Sequence, residues 1–270
     1  MRLDKYLADR RLGSRRDVKE LIKKGRVTVD DMTAKDPGMS VSQQNRICLD
    51  GKPVEGETYF YYMLNKPPGY VSAREDAKEK TVLELLPPAF RKNVSPVGRL
   101  DKDTVGLLLL TNDGEMSHNL LSPKSHVDKV YLAGLDRGTD GEDEKAFAEG
   151  IVLADETKLL SATIKAVSEE KAMELMGTES RRRMEKGSEE ATNDKPGDDT
   201  RGIKAFALVT IREGKYHQVK RMMAARGKKV LYLKRLSMGS LHLDPDLPEG
   251  SYRELTEGEI KALKGKTNVE

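Results

Sequence analysis

Residues 98–114 read GRLDKDTVGLLLLTNDG. A charged turn, Asp101-Lys102-Asp103, feeds almost directly into an apolar run from Val105 to Leu110, and Asn112-Asp113-Gly114 closes it. The run predicts a strand over 105–111. Asp101 therefore sits against the edge of a core, where a carboxylate is costly to bury unless a cation or hydrogen-bond donors compensate it. A turn-capping Asp is the plainer alternative, and Asp103, two residues on, is the competing carboxylate.

Outward from this stretch, Tyr59 to Leu64 reads as a strand that runs into Asn65-Lys66-Pro67-Pro68-Gly69, a turn fixed by Pro and Gly. Further strands are predicted at 127–133, 151–154, 162–167, 203–211 and 229–234, and helices near 81–87, 115–121, 143–149 and 217–226. That pattern predicts an α+β domain with a mixed, largely antiparallel sheet over residues 58–270. Residues 177–202 differ: they hold six bases, seven acids and no Val, Leu, Ile or Phe. Such a stretch predicts a flexible insertion, because it buries too little apolar surface to offset the entropy of ordering. Thr256 and Glu259 form a capping-box pair that starts a short last helix.

Residues 1–57 read as a separate small domain of two short helices followed by strands. Ser14 caps the second helix, Val18, Leu21 and Ile22 form its apolar stripe, and Gly25 ends it. Arg15, Lys19 and Lys23 recur every fourth residue beside that stripe, which makes one face of the helix basic. Val27 to Val29 and Arg46 to Leu49 read as strands, with Asp50-Gly51 as a hairpin turn.

The net charge of +3 says little, but its distribution says more. Residues 1–27 carry ten bases against four acids, and residues 212–235 carry nine against one. Clusters of this kind on a balanced chain are the footprint of a protein that binds a phosphate backbone. The lone Cys48 excludes an intramolecular disulfide and a cysteine zinc site, so a reducing cytoplasmic setting and no metal are expected. The N-terminus lacks the apolar core of a signal peptide and no apolar run approaches membrane-span length, so no membrane partner is expected.

RLDKYLA at 2–8, Ser-Arg-Arg at 14–16 and GRVTVD at 25–30 resemble the RNA-binding domain named after ribosomal small-subunit protein four. The stretch at 98–114 resembles the catalytic motif of RNA pseudouridine synthases of the RsuA family. Three further blocks agree in order: LNKPPGYVS at 64–72, HVDKVYLA at 126–133 and EGKYHQVKRMMAARGKKVLYLKRLSMGSLHL at 213–243. The resemblance implies an isomerase that turns a uridine of ribosomal RNA, in the small subunit by analogy with RsuA-type members, into pseudouridine without any cofactor. It implies ribosomal RNA or an assembly intermediate as partner, and a monomer is expected.

The resemblance also implies the site. Asp101 is the catalytic carboxylate, which either attacks the anomeric carbon or stabilises its cationic character. Lys220, the last residue of HQVK, is the cation that keeps it ionised; relatives in the wider superfamily use Arg there, and Lys lacks the bidentate fork. Tyr131 is the ring that stacks on uracil and handles a proton. Arg99 fills or props open the place of the extruded base. RNA contacts are expected from Arg2, Lys5, Arg15, Arg16, Lys19, Lys23 and Arg26 in the first domain, and from Gln218 and Arg221 beside the site. Lys66 and Tyr70 shape the cleft or touch backbone. Val105 departs from the family, which has Ser or Thr after Thr104, so a hydroxyl is missing there.

Two other readings remain. A non-catalytic RNA-binding assembly factor on the same fold should have lost one of Asp101, Tyr131 and Lys220. A glycosidase acting on free sugars needs a second carboxylate at a defined separation, and leaves the basic clusters unexplained.

Overall fold

The computed structural model describes residues 1–10, 12–42, 45–54, 59–186 and 202–265. Contacts divide the chain into two units, Met1–Tyr59 and Phe60–Glu270. The boundary expected at 57/58 falls within residues 55–58, outside the described residues.

In the first unit, α1 (Leu3–Asp9) and α2 (Arg15–Lys23) precede β1 (Val27–Val29), β2 (Met32–Thr33), β3 (Ile47–Leu49) and β4 (Lys52–Pro53). The strands pair in the order β2-β1-β3-β4. Ser14 accepts from the Asp17 backbone N–H while Asp17 accepts from Ser14 N, a reciprocal box that satisfies two orphan donors at the start of α2. Leu3, Tyr6 and Leu7 of α1 and Val18 and Ile22 of α2 pack on Val27, Val29 and Ile47. With its apolar stripe so used, α2 turns Arg15, Arg16, Lys19 and Lys23 to solvent. Asp50 and Gly51 both take positive φ at the β3–β4 turn, the geometry a two-residue hairpin of this hand needs.

The second unit is built on one sheet: β5 (Tyr61–Lys66), β6 (Ser95–Pro96), β7 (Val105–Thr111), β8 (Lys129–Leu135), β9 (Thr163–Val167), β10 (Ala205–Ile211), β11 (Val230–Met238), β12 (Leu241–His242) and β13 (Tyr252–Glu254). Its main path is β13-β5-β7-β11-β8-β10-β9, with β6 added on β7 and β12 on β11. Every pairing is antiparallel except β7 with β11. Helices α3 (Pro88–Arg91), α4 (Gly114–Leu121), α5 (Gly141–Glu149), α6 (Glu169–Met176), α7 (Thr178–Lys186), α8 (Gln218–Ala225) and α9 (Glu257–Gly265) fill the connections. Phe147 of α5 and Val219, Met222 and Met223 of α8 share a core with Leu108, Leu110 and Leu233. Ala172 and Met176 of α6 share another with Val105, Leu132 and Tyr232. Apolar layers thus cover both faces of the sheet, so β7 is buried at every residue and shows no alternation in sequence.

Two expectations are corrected. Residues 151–154 form no strand; Val152 makes only an isolated bridge to Lys158, in a loop that turns at Glu156 with positive φ. The stretch expected to be flexible at 177–202 begins with the ordered helix α7, while its residues 187–201 lie outside the described residues. Apart from Met184, which packs on the core below α6, α7 is held by polar contacts. Arg183 donates to both oxygens of Glu249 at 2.6 and 2.8 Å, Ser180 donates to the same carboxylate, and Tyr232 donates to Ser180 at 3.0 Å.

Candidate active site

Asp101 stands in the turn that leads into β7. The turn is closed by Thr104 N–H donating to the Asp101 carbonyl at 3.1 Å. Beneath it lies Lys66, the last residue of β5, fully buried at 0% exposure. Its ammonium donates to the carbonyls of Pro67, Lys102 and Thr104 at 3.1, 3.2 and 2.8 Å, so one side chain ties the Pro-Pro-Gly turn to the Asp101 turn. Ser72 adds a second tie, donating to the Leu100 carbonyl and accepting from Leu100 N–H, both at 3.0 Å. Lys66 thus serves the backbone of both turns. The expectation that Lys66 touches backbone is met; Tyr70 packs at the edge of the main core.

Burial pushes the Lys66 ammonium down to about 7, against the pull of Asp103 and Asp101. In the unfolded chain the same amine keeps its proton up to about 10.5. Between these values the unfolded state binds more protons, so this group adds stability as pH rises. Unfolding free energies of the wild type and Lys66→Met, measured from pH 7 to 10, should diverge in favour of the wild type with a slope approaching about 1.4 kcal/mol per pH unit. A constant difference would mean that Lys66 is charged in the folded protein throughout that range.

Across the cleft, α8 begins at His217, whose backbone is left-handed, with φ 48° and ψ 35°. This N-cap conformation brings the imidazole to the Asp101 side of the helix, with Nε2 3.5 Å from Asp101 Oδ1. Lys220, one turn further on, places Nζ 3.6 Å from Asp101 Oδ2. The expected ion pair is present but is not exclusive. Lys220 also reaches both oxygens of Asp103 at 2.6 Å, and those are its closer contacts. The reason is the turn: residues 101 and 103 flank it and present two carboxylates to one ammonium. Asp103, read from sequence as a mere competitor, is the closer partner of that cation.

An open cleft adjoins Asp101 and is lined also by Arg99, Leu100, Thr104, Tyr131, His217 and Leu233. Tyr131, on β8 opposite Val209 and Arg235, is 7% exposed, so its ring is part of the wall. Arg99 is exposed at the rim. The Thr104 hydroxyl is buried and has no hydrogen-bond partner among the described residues. A second, shallow cleft is lined by Asp103, Lys220 and Arg183 among others.

Gln218, expected as an RNA contact, lines the cleft but has its amide engaged within the protein. It is buried at 4% exposure, donating to Glu213 at 3.1 Å and accepting from Lys215 N–H at 3.0 Å. Its amide fixes the 213–218 loop and thereby the start of α8. Arg221 is half-buried and pairs with Asp155 at 2.6 Å. In the first unit, Arg2 pairs with Asp4 at 3.1 Å, Lys19 with the same carboxylate at 3.9 Å, Lys23 with Glu20 at 3.4 Å, and Arg26 with Asp50. Lys5, Arg15 and Arg16 are exposed. The Lys23–Glu20 and Arg26–Asp50 pairs are exposed on both sides, and such pairs are weak. His217 was not singled out from sequence; the signal was its place between Tyr216 and the basic start of a helix.

Among the described residues no three His, Cys, Asp or Glu side chains gather as metal ligands, and no helix is long and apolar enough to cross a membrane.

Comparison with known proteins gives concordant results. A family model described as RNA pseudouridylate synthase matches residues 60–225, and one described as S4 domain matches residues 1–47. The chain is 42% identical over 267 residues to the uncharacterized RNA pseudouridine synthase YtzG of Bacillus subtilis, covering 97% of this chain and 98% of that one. It is 35% identical over 266 residues to ribosomal small subunit pseudouridine synthase A of Escherichia coli K12, covering 97% and 100%. A crystal structure of a pseudouridylate synthase superposes with a TM-score of 0.62 at 32% identity, covering 97% of this chain and 99% of that one.

Proposed function

This chain belongs to the RNA pseudouridylate synthase family, and from that premise we propose that it converts a uridine of small-subunit ribosomal RNA to pseudouridine, with Asp101 as the reacting carboxylate. The observation that carries the proposal is the placement of Asp101 on a cleft wall shared with Tyr131, within 3.6 Å of Lys220. A vestigial site would have no reason to keep that constellation.

Uridine and pseudouridine contain the same atoms, so the reaction needs no oxidant and no added group. The bond from C1′ to N1 breaks, a bond from C1′ to C5 forms, C5 gives up its proton and N1 gains one. Asp101 acts at C1′ while neither base position is bonded to it, and is restored when C5 takes its place. Lys220 sets a positive charge 3.6 Å from the reacting carboxylate, and Asp103 holds Lys220 from the other side. Tyr131 presents a ring to the detached uracil and a hydroxyl for proton transfer. The target nucleotide must leave its stack to enter, at a cost of a few kcal/mol, and Arg99 at the rim is placed to fill the gap it leaves. The exposed bases of the first unit hold RNA phosphates. A ribosomal substrate implies a cytoplasmic setting, with the protein acting as a monomer.

Lys220→Met should lower the single-turnover rate by roughly 10²-fold, the scale of losing one preorganised charge at a reacting centre. Lys220→Arg should recover most of it, because a guanidinium fork can serve Asp101 and Asp103 together. Equal rates for wild type and Lys220→Met would remove Lys220 from the site. The function itself is tested by carbodiimide-dependent primer extension on ribosomal RNA from cells with and without the gene. A small-subunit stop that disappears with the gene supports the proposal; identical stop patterns would overturn it.

A further inference from the structure

The loop that leads into α8 carries an aromatic side chain for which the reaction has no use. Tyr216 is 76% exposed, yet it is held. Its ring stacks on that of His217 with centroids 3.9 Å apart and planes 15° from parallel. His217 is in turn fixed by a left-handed backbone that a non-glycine residue adopts rarely, a form of strain that concentrates at functional sites. Nε2 of that imidazole lies 3.5 Å from the Asp101 carboxylate. The buried Gln218 side chain bonds Glu213 and Lys215 N–H, which pins the loop on both sides of Tyr216. An exposed aromatic surface is therefore stacked directly on the residue that meets Asp101.

We propose that the outer face of Tyr216 is a stacking platform for the unpaired nucleobase adjacent to the target uridine. The proposal rests on the reading of the cleft as an RNA-modifying site. Extruding a nucleotide unstacks its neighbours and leaves their π faces in water, and an aromatic ring can cover one of them. Tyr216 is suited to this because its inner face is covered by the His217 ring and its chain neighbours Lys215 and His217 line the cleft that the uridine enters. Lys215 and Arg99 line the same cleft and supply cations for the flanking phosphates. Every base has a π face, so the platform tolerates any neighbour, and sequence choice lies elsewhere.

Tyr216→Ala, Tyr216→Leu and Tyr216→Phe should be compared with the wild type on an in vitro transcript of small-subunit ribosomal RNA. Filter binding gives affinity without turnover, and release of tritium from uridine labelled at C5 gives kcat and KM. Loss of one base–aromatic stack should weaken binding and raise KM by roughly 5- to 50-fold in Tyr216→Ala. The loss should be partial in Tyr216→Leu and nearly absent in Tyr216→Phe, with kcat changed far less than KM. Unaltered affinity and KM in Tyr216→Ala would overturn the platform, as would a fall in kcat alone, which would mean that the ring only positions His217. Failure of Tyr216→Phe to match the wild type would assign the effect to the hydroxyl and overturn it equally. A wild type that forms no pseudouridine would refute the enzymatic reading, whereas the binding series still decides the role of Tyr216.

Discussion

Asp101→Asn is expected to abolish pseudouridine formation while leaving RNA affinity near its original value. The amide has almost the same shape, so the Asp101 turn, with Lys66 beneath it and Thr104 closing it, has no reason to move. What it loses is the charge and the nucleophilic oxygen, and removal of a group of that kind lowers kcat on the order of 10⁴- to 10⁶-fold. The basic residues that hold phosphates are untouched, and contacts to the backbone set most of the affinity. Isomerisation exchanges the C5 hydrogen for a carbon bond, so tritium released from C5-labelled RNA measures the reaction directly. Release within tenfold of wild type would show that another group does the chemistry.

Gly106→Ala should destabilise the second unit by about 3 kcal/mol or more, a figure combining backbone strain and overpacking. Gly106 has φ +97°, and it sits where β7 pairs parallel to β11 through Lys234↔Val105 and Arg235↔Gly106. A Cβ there would lie 3.0 Å from Arg235 N and closer still to the Arg235 carbonyl oxygen, which are backbone atoms that cannot turn aside. Arg235 is 2% exposed and donates to the Leu107 carbonyl at 2.7 Å, so the neighbouring strand has no slack. Urea unfolding followed by circular dichroism measures the loss, and activity should fall with it because the same strand carries the Asp101 turn. A change below about 1 kcal/mol would mean that β11 shifts to make room, contrary to the packing of interiors.

The elements legible in the sequence are those whose stability comes from apolar burial or local hydrogen bonds. Strand β7 could be read because both its faces are covered, and α2 because Ser14 and Asp17 cap it through bonds three residues apart. Helix α7 was hidden for the opposite reason. Its one large apolar residue, Met184, makes no stripe, and it is held largely by Arg183 and Ser180 meeting Glu249, a residue 66 and 69 positions away that nothing in the local pattern announces. The short strand expected at 151–154 failed because four apolar positions say nothing about whether a neighbouring strand is free to pair.

In the site, motif residues identified the Asp101 turn and the start of α8, but not the geometry between them. That Lys220 lies closer to Asp103, at 2.6 Å, than to Asp101, at 3.6 Å, is not encoded in spacing. Gln218 lies two residues before Lys220 in sequence, yet the helix turns it inward, where its amide orders the loop. His217 reaches Asp101 only because its backbone is left-handed, a conformation that no side-chain pattern reveals.

Purified protein incubated with a small-subunit ribosomal RNA transcript, then treated with carbodiimide and copied by primer extension, should give a new stop beside one uridine, and the same RNA incubated with Asp101→Asn should give none. A transcript that shows no new stop, or the same stop with both proteins, would contradict the assignment of this carboxylate to the isomerisation.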